Sequence, residues 1–337
     1  MEGPEILYRY RPAIELEVKR ALGSQESVLA DMLRYQLGWT PAGLPNLAKC
    51  LRPSLCLLAC EGLGGDLDKA LPIAVAVELV HNFSLIHDDI EDGDDTRHHR
   101  ATLWRAFGRD SAVVAGIDLW TVAYQTMSHA QETGLAAETV FEARRLLNDA
   151  CSEMIEGQHQ DLTYEQRTDV TLDEYIEMIG RKSGALISAS LQLGALVAGA
   201  GADQIESFGA FGRNLGLAFQ IRDDILGIWG EGSATGKPVG ADIARKKKSL
   251  PVVHALQQAV GPDRDALRAV YTKTAVEDAD VDNVLDILQR WNCRYFAQGL
   301  AENYRSRAMS ALARTVITSD ARYRFDELTA FILERDY

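Results

Sequence analysis

The chain is poor in cysteine: Cys50, Cys56, Cys60, Cys151 and Cys293 are all that 337 residues contain. They are odd in number and show no CxxC spacing, which excludes a disulfide framework and a structural zinc site. Cys56 and Cys60, four apart in an apolar helical stretch, read as small core residues. Proline is equally sparse. There are 9, and residues 73–237 contain none. Strand-and-turn architectures need frequent punctuation, whereas long helices keep proline out of their interiors. Excess basic charge is missing too. Lys+Arg total 35 against 49 Asp+Glu, a formal net charge of −14 with a pI near 5.0. That balance argues against nucleic acid as a partner. With 47% hydrophobic and 25% charged residues, the composition excludes disorder. The start, MEGPEILYRYRP, has no apolar h-region, so the expected compartment is the reducing cytoplasm. The longest uncharged run, Ser183 to Ala202, has the length of a bilayer span. Its serines, glycines and Gln192 make a buried helix the better reading, so no transmembrane segment is expected.

What the chain does have is helical periodicity. Leu79, Phe83, Ile86 and Ile90 share one face, as do Leu146, Leu147, Met154 and Ile155, and later Leu285, Leu288, Phe296 and Leu300. Breaks fall at Gly62–Asp68, Gly93–Asp94, Gly199–Asp203, Gly230–Gly240 and Gly261–Pro262, leaving several helices of about 20 residues or more. None looks like an interdomain linker. The expectation is a single all-α domain over 1–337, a bundle of long helices around a central apolar cavity.

Two acidic pairs interrupt this apolar pattern. Asp88, Asp89 and Asp92 follow the run LVHNFSLIH. Asp88 and Asp92 stand at i and i+4, with carboxylates roughly 6 Å apart on one face, where like charges destabilise a bare helix. A solvated helix end would explain them. The second pair fits that explanation less well, because Asp223 and Asp224 lie between AFQI and ILGIW. Uncompensated carboxylates in apolar surroundings are costly. Hard divalent cations are a natural remedy, and magnesium takes its remaining ligands from water and substrate phosphates.

Cations cluster beside these acids despite the net charge. Arg97 and Arg100 follow the first pair by one or two helical turns, Lys182 precedes the long apolar helix, and Lys237 and Lys246 to Lys248 follow the second pair. Singly, each lysine reads as solvated surface. Together they suit an anionic substrate.

These segments, in this order, resemble the trans-isoprenyl diphosphate synthases (polyprenyl synthetases) from about Lys49 to Leu250, with a tail in FILERDY. Asp88-Asp89-Ile90-Glu91-Asp92 resembles the first aspartate-rich motif, led in by Glu78, His81, Leu85 and His87. Gly157-Gln158-x-x-Asp161-Leu162 resembles GQxxDL, Lys182-Ser183 the Lys-Thr pair, and Phe219-Gln220-x-x-Asp223-Asp224 the second aspartate-rich motif. Lys237 matches the lysine after it, and Asp242-Ile243 with Lys247-Lys248 resembles DIREGKKT. Three departures stand out. GGKRxRP, which in the family binds isopentenyl diphosphate together with an arginine of RRGxPT, appears as LAKCLRP, keeping Lys49 and Arg52 but placing Cys50 at an arginine position. RRGxPT appears as Arg97-His98-His99-Arg100-Ala101-Thr102, with His98 replacing an arginine. The second motif ends in Gly227 where many members have aspartate, with Glu231 further on.

The resemblance implies that Asp88, Asp89, Asp92, Asp223 and Asp224 ligate three magnesium ions bridging both clusters and an allylic diphosphate. Asp88, Asp89, Lys182, Gln220 and Asp223 are then catalytic. Lys49, Arg52, His81, Arg97, His98, Lys182, Ser183, Gln220, Lys237 and Lys247 bind the substrates, isopentenyl diphosphate and an allylic prenyl diphosphate. The implied reaction ionises the allylic carbon–oxygen bond and adds isopentenyl diphosphate to the cation, so water must be excluded. Bulky Phe83 and small Ser84, upstream of a first motif with no insertion, resemble the chain-length residues of short-chain synthases, geranylgeranyl above all, with farnesyl next. Family members usually form homodimers.

Two rivals remain open at this stage. A terpene cyclase on the same fold needs no second diphosphate pocket, and Asn148-Asp149-x-x-Ser152-x-x-x-Glu156 spells the cyclases' second metal motif. A non-catalytic subunit of a heteromeric synthase would tolerate degraded motifs. A calcium or zinc site finds no EF-hand or paired-histidine pattern. His98 and His99, read as helical neighbours, point to different faces.

Overall fold

The computed structural model describes residues 4–24, 26–39, 50–97, 100–230 and 239–334. Lys49, His98, Lys237 and Glu231 lie outside them. The all-α expectation holds. Long helices run Leu67–Asp92, Ala137–Tyr164, Ala202–Trp229 and Cys293–Leu312. Among the described residues the only strands are Thr96–Arg97 and Arg100–Ala101, paired antiparallel with Arg97 opposite Arg100. This corrects the helical reading of 97–100. Gly93 ends the Leu67–Asp92 helix at φ 67°, a left-handed conformation that glycine adopts without a Cβ penalty. Pro72 lies inside that helix, six residues past the Asp66 cap, whose carboxylate accepts from the Asp68 amide.

The chain divides into two compact units, each assembled from three segments. The first comprises Met1–Cys151, Leu186–Gly209 and Arg314–Phe325. The second comprises Ser152–Ala185, Ala210–Ala313 and Asp326–Tyr337.

In the first unit the Leu67–Asp92 helix packs against Leu51–Gly62 and Arg109–Thr126. It is long and apolar enough to cross a membrane, and 72% of its most apolar window is buried. The run from Ser183 forms a short π-helical turn, Gly180–Gly184, and then the helix Ala185–Val197, whose side chains are mostly buried. Gly194 allows that helix to lie against Leu51–Gly62, since a Cβ there would fall 2.1 Å from the Cys56 carbonyl oxygen. All five cysteines are buried and unbridged. In the second unit one apolar cluster joins Tyr175, Ile179, Ile221, Ile225 and Val253, and another joins Ile228, Ile243, Leu267 and Ile287.

Candidate active site

Each unit carries one acidic pair, and the two pairs are built on the same plan. In the first unit Asp89 is buried and Asp88 half-buried, while Asp92 is exposed at the helix end. Arg97 reaches back from the hairpin, its Nε donating to Asp89 Oδ1 at 2.7 Å with Nη2 at 3.8 Å from Asp88 Oδ2. Burial pushes the Asp89 carboxyl up to about 6 against the pull of Arg97. No donor among the described residues reaches its Oδ2, which is buried.

Beside this pair lies a cavity of about 580 Å³. Arg11, Arg97 and Arg100 line it together with His81, Glu78 and Asp89. Burial, then the charges of Arg52 and Arg97, push His81 well down, so its imidazole is neutral. Burial raises Glu78, opposed by Arg52 and by Asn82, whose Nδ2 lies 3.3 Å from Oε1. Phe83 is buried, edge-on to the His87 ring at 4.9 Å. His87 in turn sits on Gly116, where a Cβ would fall 2.4 Å from its Nε2. Ser84 Oγ donates to the His81 carbonyl at 2.7 Å.

In the second unit Asp224 is buried and Asp223 half-buried. Asp224 Oδ2 accepts from the Tyr175 hydroxyl and from the Leu250 amide at 2.7 Å, and Oδ1 accepts from Gln220 Nε2 at 3.2 Å. Protein donors, not only a metal, therefore meet the cost that the sequence raised for this carboxylate. Burial still pushes it up to about 6, opposed by Lys247 and these donors.

The π-helical turn presents the cations and dipoles. Lys182 Nζ donates to Asp161 Oδ2 at 2.5 Å, and Ser183 Oγ donates to Gln220 Oε1 at 2.6 Å. A π turn disturbs the helical ladder and is common at functional sites. Here Arg213 Nη1 donates to the Gly180 carbonyl at 2.6 Å, while its Nη2 is anchored on Glu153 Oε2 at 2.6 Å. Glycines let the neighbouring helices grip the turn. A Cβ at Gly157 would fall 2.3 Å from the Lys182 backbone nitrogen, and one at Gly216 would fall 2.6 Å from Gly184 Cα. Burial raises the Asp161 carboxyl, but Lys182 and Lys247 outweigh it and hold it low. Burial likewise opposes charge on Lys247, yet Asp242, Asp224, Asp161 and Asp223 together push it up. Position 227 is not free: a Cβ there would fall 2.1 Å from Asp242 Oδ2, and Asp242 is buried.

Lys248, read singly as solvated, is only 2% exposed. Its ammonium lies 4.6 Å from the Tyr271 ring centroid and donates to the Glu165 carbonyl at 3.0 Å. Burial, then the neighbouring Lys246, lower it from 10.5 to about 8. Between those values the unfolded chain still carries the proton that the folded chain has lost. The contribution of Lys248 to stability should therefore rise with pH from about 8 to 10.5, and that gain is lost as pH falls through 8. Urea titrations across this window should show it as a difference in slope between the native chain and Lys248→Met, since the raised buried thiols and phenols pull both chains the other way. Lys246 adopts φ 56°. A left-handed residue with a Cβ costs roughly 1–2 kcal/mol, so Lys246→Gly should add about 0.5–1 kcal/mol to the unfolding free energy after glycine's extra chain entropy.

Sequence reasoning singled out neither Asp161, although GQxxDL contains it, nor Tyr175, Asp242 or Arg100 as site residues. Asp161 was legible from its motif. Tyr175 gave no signal, being 49 residues from its partner. Among the described residues no group of three or more His, Cys, Asp or Glu converges as a ready-made metal site.

The polyprenyl synthetase family model matches residues 43–288. The (2E,6E)-farnesyl diphosphate synthase of Mycobacterium tuberculosis is 36% identical over 314 residues, covering 91% of this chain and 86% of its own. The geranylgeranyl diphosphate synthase of the same organism is 37% identical over 323 residues, covering 94% and 91%. The crystal structure of geranylgeranyl pyrophosphate synthetase from Pyrococcus horikoshii superposes with a TM-score of 0.88 at 33% identity, covering 98% of both chains. With family motif, sequence kinship and fold in agreement, the chain belongs to the polyprenyl synthetases and is a prenyltransferase.

Proposed function

We propose that this prenyltransferase condenses isopentenyl diphosphate with an allylic diphosphate to a short-chain prenyl diphosphate, with geranylgeranyl diphosphate as the main product. The observation that carries the reading is the 580 Å³ cavity walled by guanidiniums beside the first aspartate pair. A terpene cyclase needs no such second anion pocket, and a non-catalytic subunit has no need to keep it. Relatives named for farnesyl and geranylgeranyl products support the substrate class.

The donor set fits magnesium. It offers hard carboxylate oxygens, a buried Asp89 Oδ2 that no described donor reaches, and more carboxylates around Lys247 than one ammonium neutralises. Asp88, Asp89 and Asp92 would hold it on the first unit, and Asp223 on the second. Asp224, already committed to Tyr175, Leu250 and Gln220, contributes mainly by fixing their positions. Magnesium, when bound, would neutralise charge on the departing diphosphate. Lys182 and Lys247 bind that diphosphate, with Asp161 aiming the Lys182 ammonium. Gln220 is oriented at both ends, by Ser183 and by Asp224, so its carbonyl dipole is fixed before the allylic cation forms. Arg97 both fixes Asp89 and lines the isopentenyl cavity with neutral His81, while the charge of Arg52 acts on His81 and Glu78. The exposed apolar residues Val114, Ile117 and Phe141 support pairing of two copies.

Incubation with magnesium, isopentenyl diphosphate and each allylic primer should give elongated prenyl diphosphates, read by product size. Hydrocarbon from farnesyl diphosphate alone would turn the assignment to a cyclase. Phe83, backed by His87 and Gly116, forms the floor of the growing-chain tunnel. Phe83→Ala should lengthen the product by at least one five-carbon unit, and an unchanged product would remove Phe83 from this role.

A further inference from the structure

We propose that Arg100, mounted on Tyr35, supplies the guanidinium for the isopentenyl diphosphate that the arginine motifs of this chain no longer provide. The inference rests on the function proposed above and names a binding residue of that same cavity. The two motif arginines are replaced by Cys50 and His98. Cys50 cannot substitute, because it is 2% exposed and burial pushes its thiol far up, leaving it neutral. The cavity nevertheless needs positive charge. Isopentenyl diphosphate carries several negative charges, and His81 beside it is uncharged.

Three guanidiniums line the cavity, and their partners differ. Arg11 Nε is bonded to Glu15 at 2.7 Å, and Arg97 Nε to Asp89 at 2.7 Å. Arg100 pairs with no carboxylate among the described residues. Its Nη2 donates to the Tyr35 carbonyl at 2.9 Å, and its guanidinium carbon lies 4.4 Å from the Tyr35 ring centroid. The mount is itself built. The Tyr35 hydroxyl donates to the Ala101 carbonyl at 2.8 Å, and Phe107 meets the Tyr35 ring edge-on at 5.3 Å. The helix Val28–Gln36 and the strand Arg100–Ala101 are thus pinned at two points, which holds Arg100 in place with no described carboxylate neutralising its charge. A fixed guanidinium of this kind suits bidentate diphosphate recognition.

The test is steady-state kinetics of Arg100→Ala and Arg100→Lys, with calorimetric titration of isopentenyl diphosphate in the absence of any allylic primer. R100A should raise the KM for isopentenyl diphosphate about tenfold or more and weaken its binding by the same factor, while leaving the allylic KM within twofold. R100K should recover part of the loss, since it keeps charge but not the fork. An R100A isopentenyl KM and Kd within twofold of the native values, or an equal rise in the allylic KM, would overturn the proposal while the synthase reading stood. Native protein that binds isopentenyl diphosphate through Arg100 yet elongates no primer would overturn the synthase reading alone. Native protein that neither binds nor elongates would overturn both.

Discussion

Asp88→Ala should lower the rate of condensation by about 10²–10³-fold, the scale on which removal of one preorganised electrostatic group acts. Asp88 is half-buried, whereas Asp89 behind it is buried and tied to Arg97. The loss should therefore fall on kcat, with little change in the unfolding midpoint. Asp89→Ala should cost both, because it strands the Arg97 guanidinium and empties a buried position. Kinetics of both variants beside urea unfolding would separate the roles. Full activity in Asp88→Ala would remove the first aspartate motif from the mechanism.

The second large effect is expected at Gly157→Ala. The added methyl would stand 2.3 Å from the Lys182 backbone nitrogen and 2.8 Å from its Cα. Both are backbone atoms, so no side chain can rotate away. Either the Ala137–Tyr164 helix shifts or the π-helical turn does, and each route separates Lys182 from Asp161. Overpacking of this kind costs about 1–3 kcal/mol or more. The displaced ammonium should lower kcat by about 10²-fold even where the protein still folds. Urea unfolding and single-turnover kinetics would show both losses, and a fully active, equally stable variant would contradict the packing account.

Helix content, the breaks at Gly62–Asp68, Gly93–Asp94, Gly199–Asp203 and Gly261–Pro262, and both acidic pairs were legible in the sequence, because they depend on local pattern: apolar period, glycine punctuation and charges placed where a core was expected. The paired strands Thr96–Arg97 and Arg100–Ala101 were not, since strands of two residues carry no periodicity. The π-helical turn was not, since it differs from an α-helix by a register that Gly180–Gly184 does not announce. Partnerships over long separations were hidden for the same reason. Tyr175 with Asp224, Tyr35 with Arg100 and Lys248 with Tyr271 are set by tertiary packing, and nothing near either residue records the other. The division into two units was equally silent, because each is stitched from three stretches of chain.

The Asp242 carboxylate resting on Gly227 also constrains how this sequence can change. Any residue larger than glycine at 227 would set its Cβ against that oxygen, so the Asp242 side chain would have to turn away. The tolerance of position 227 is thereby coupled to the side chain at 242, and a library varying both positions should return more folded members than one varying 227 alone.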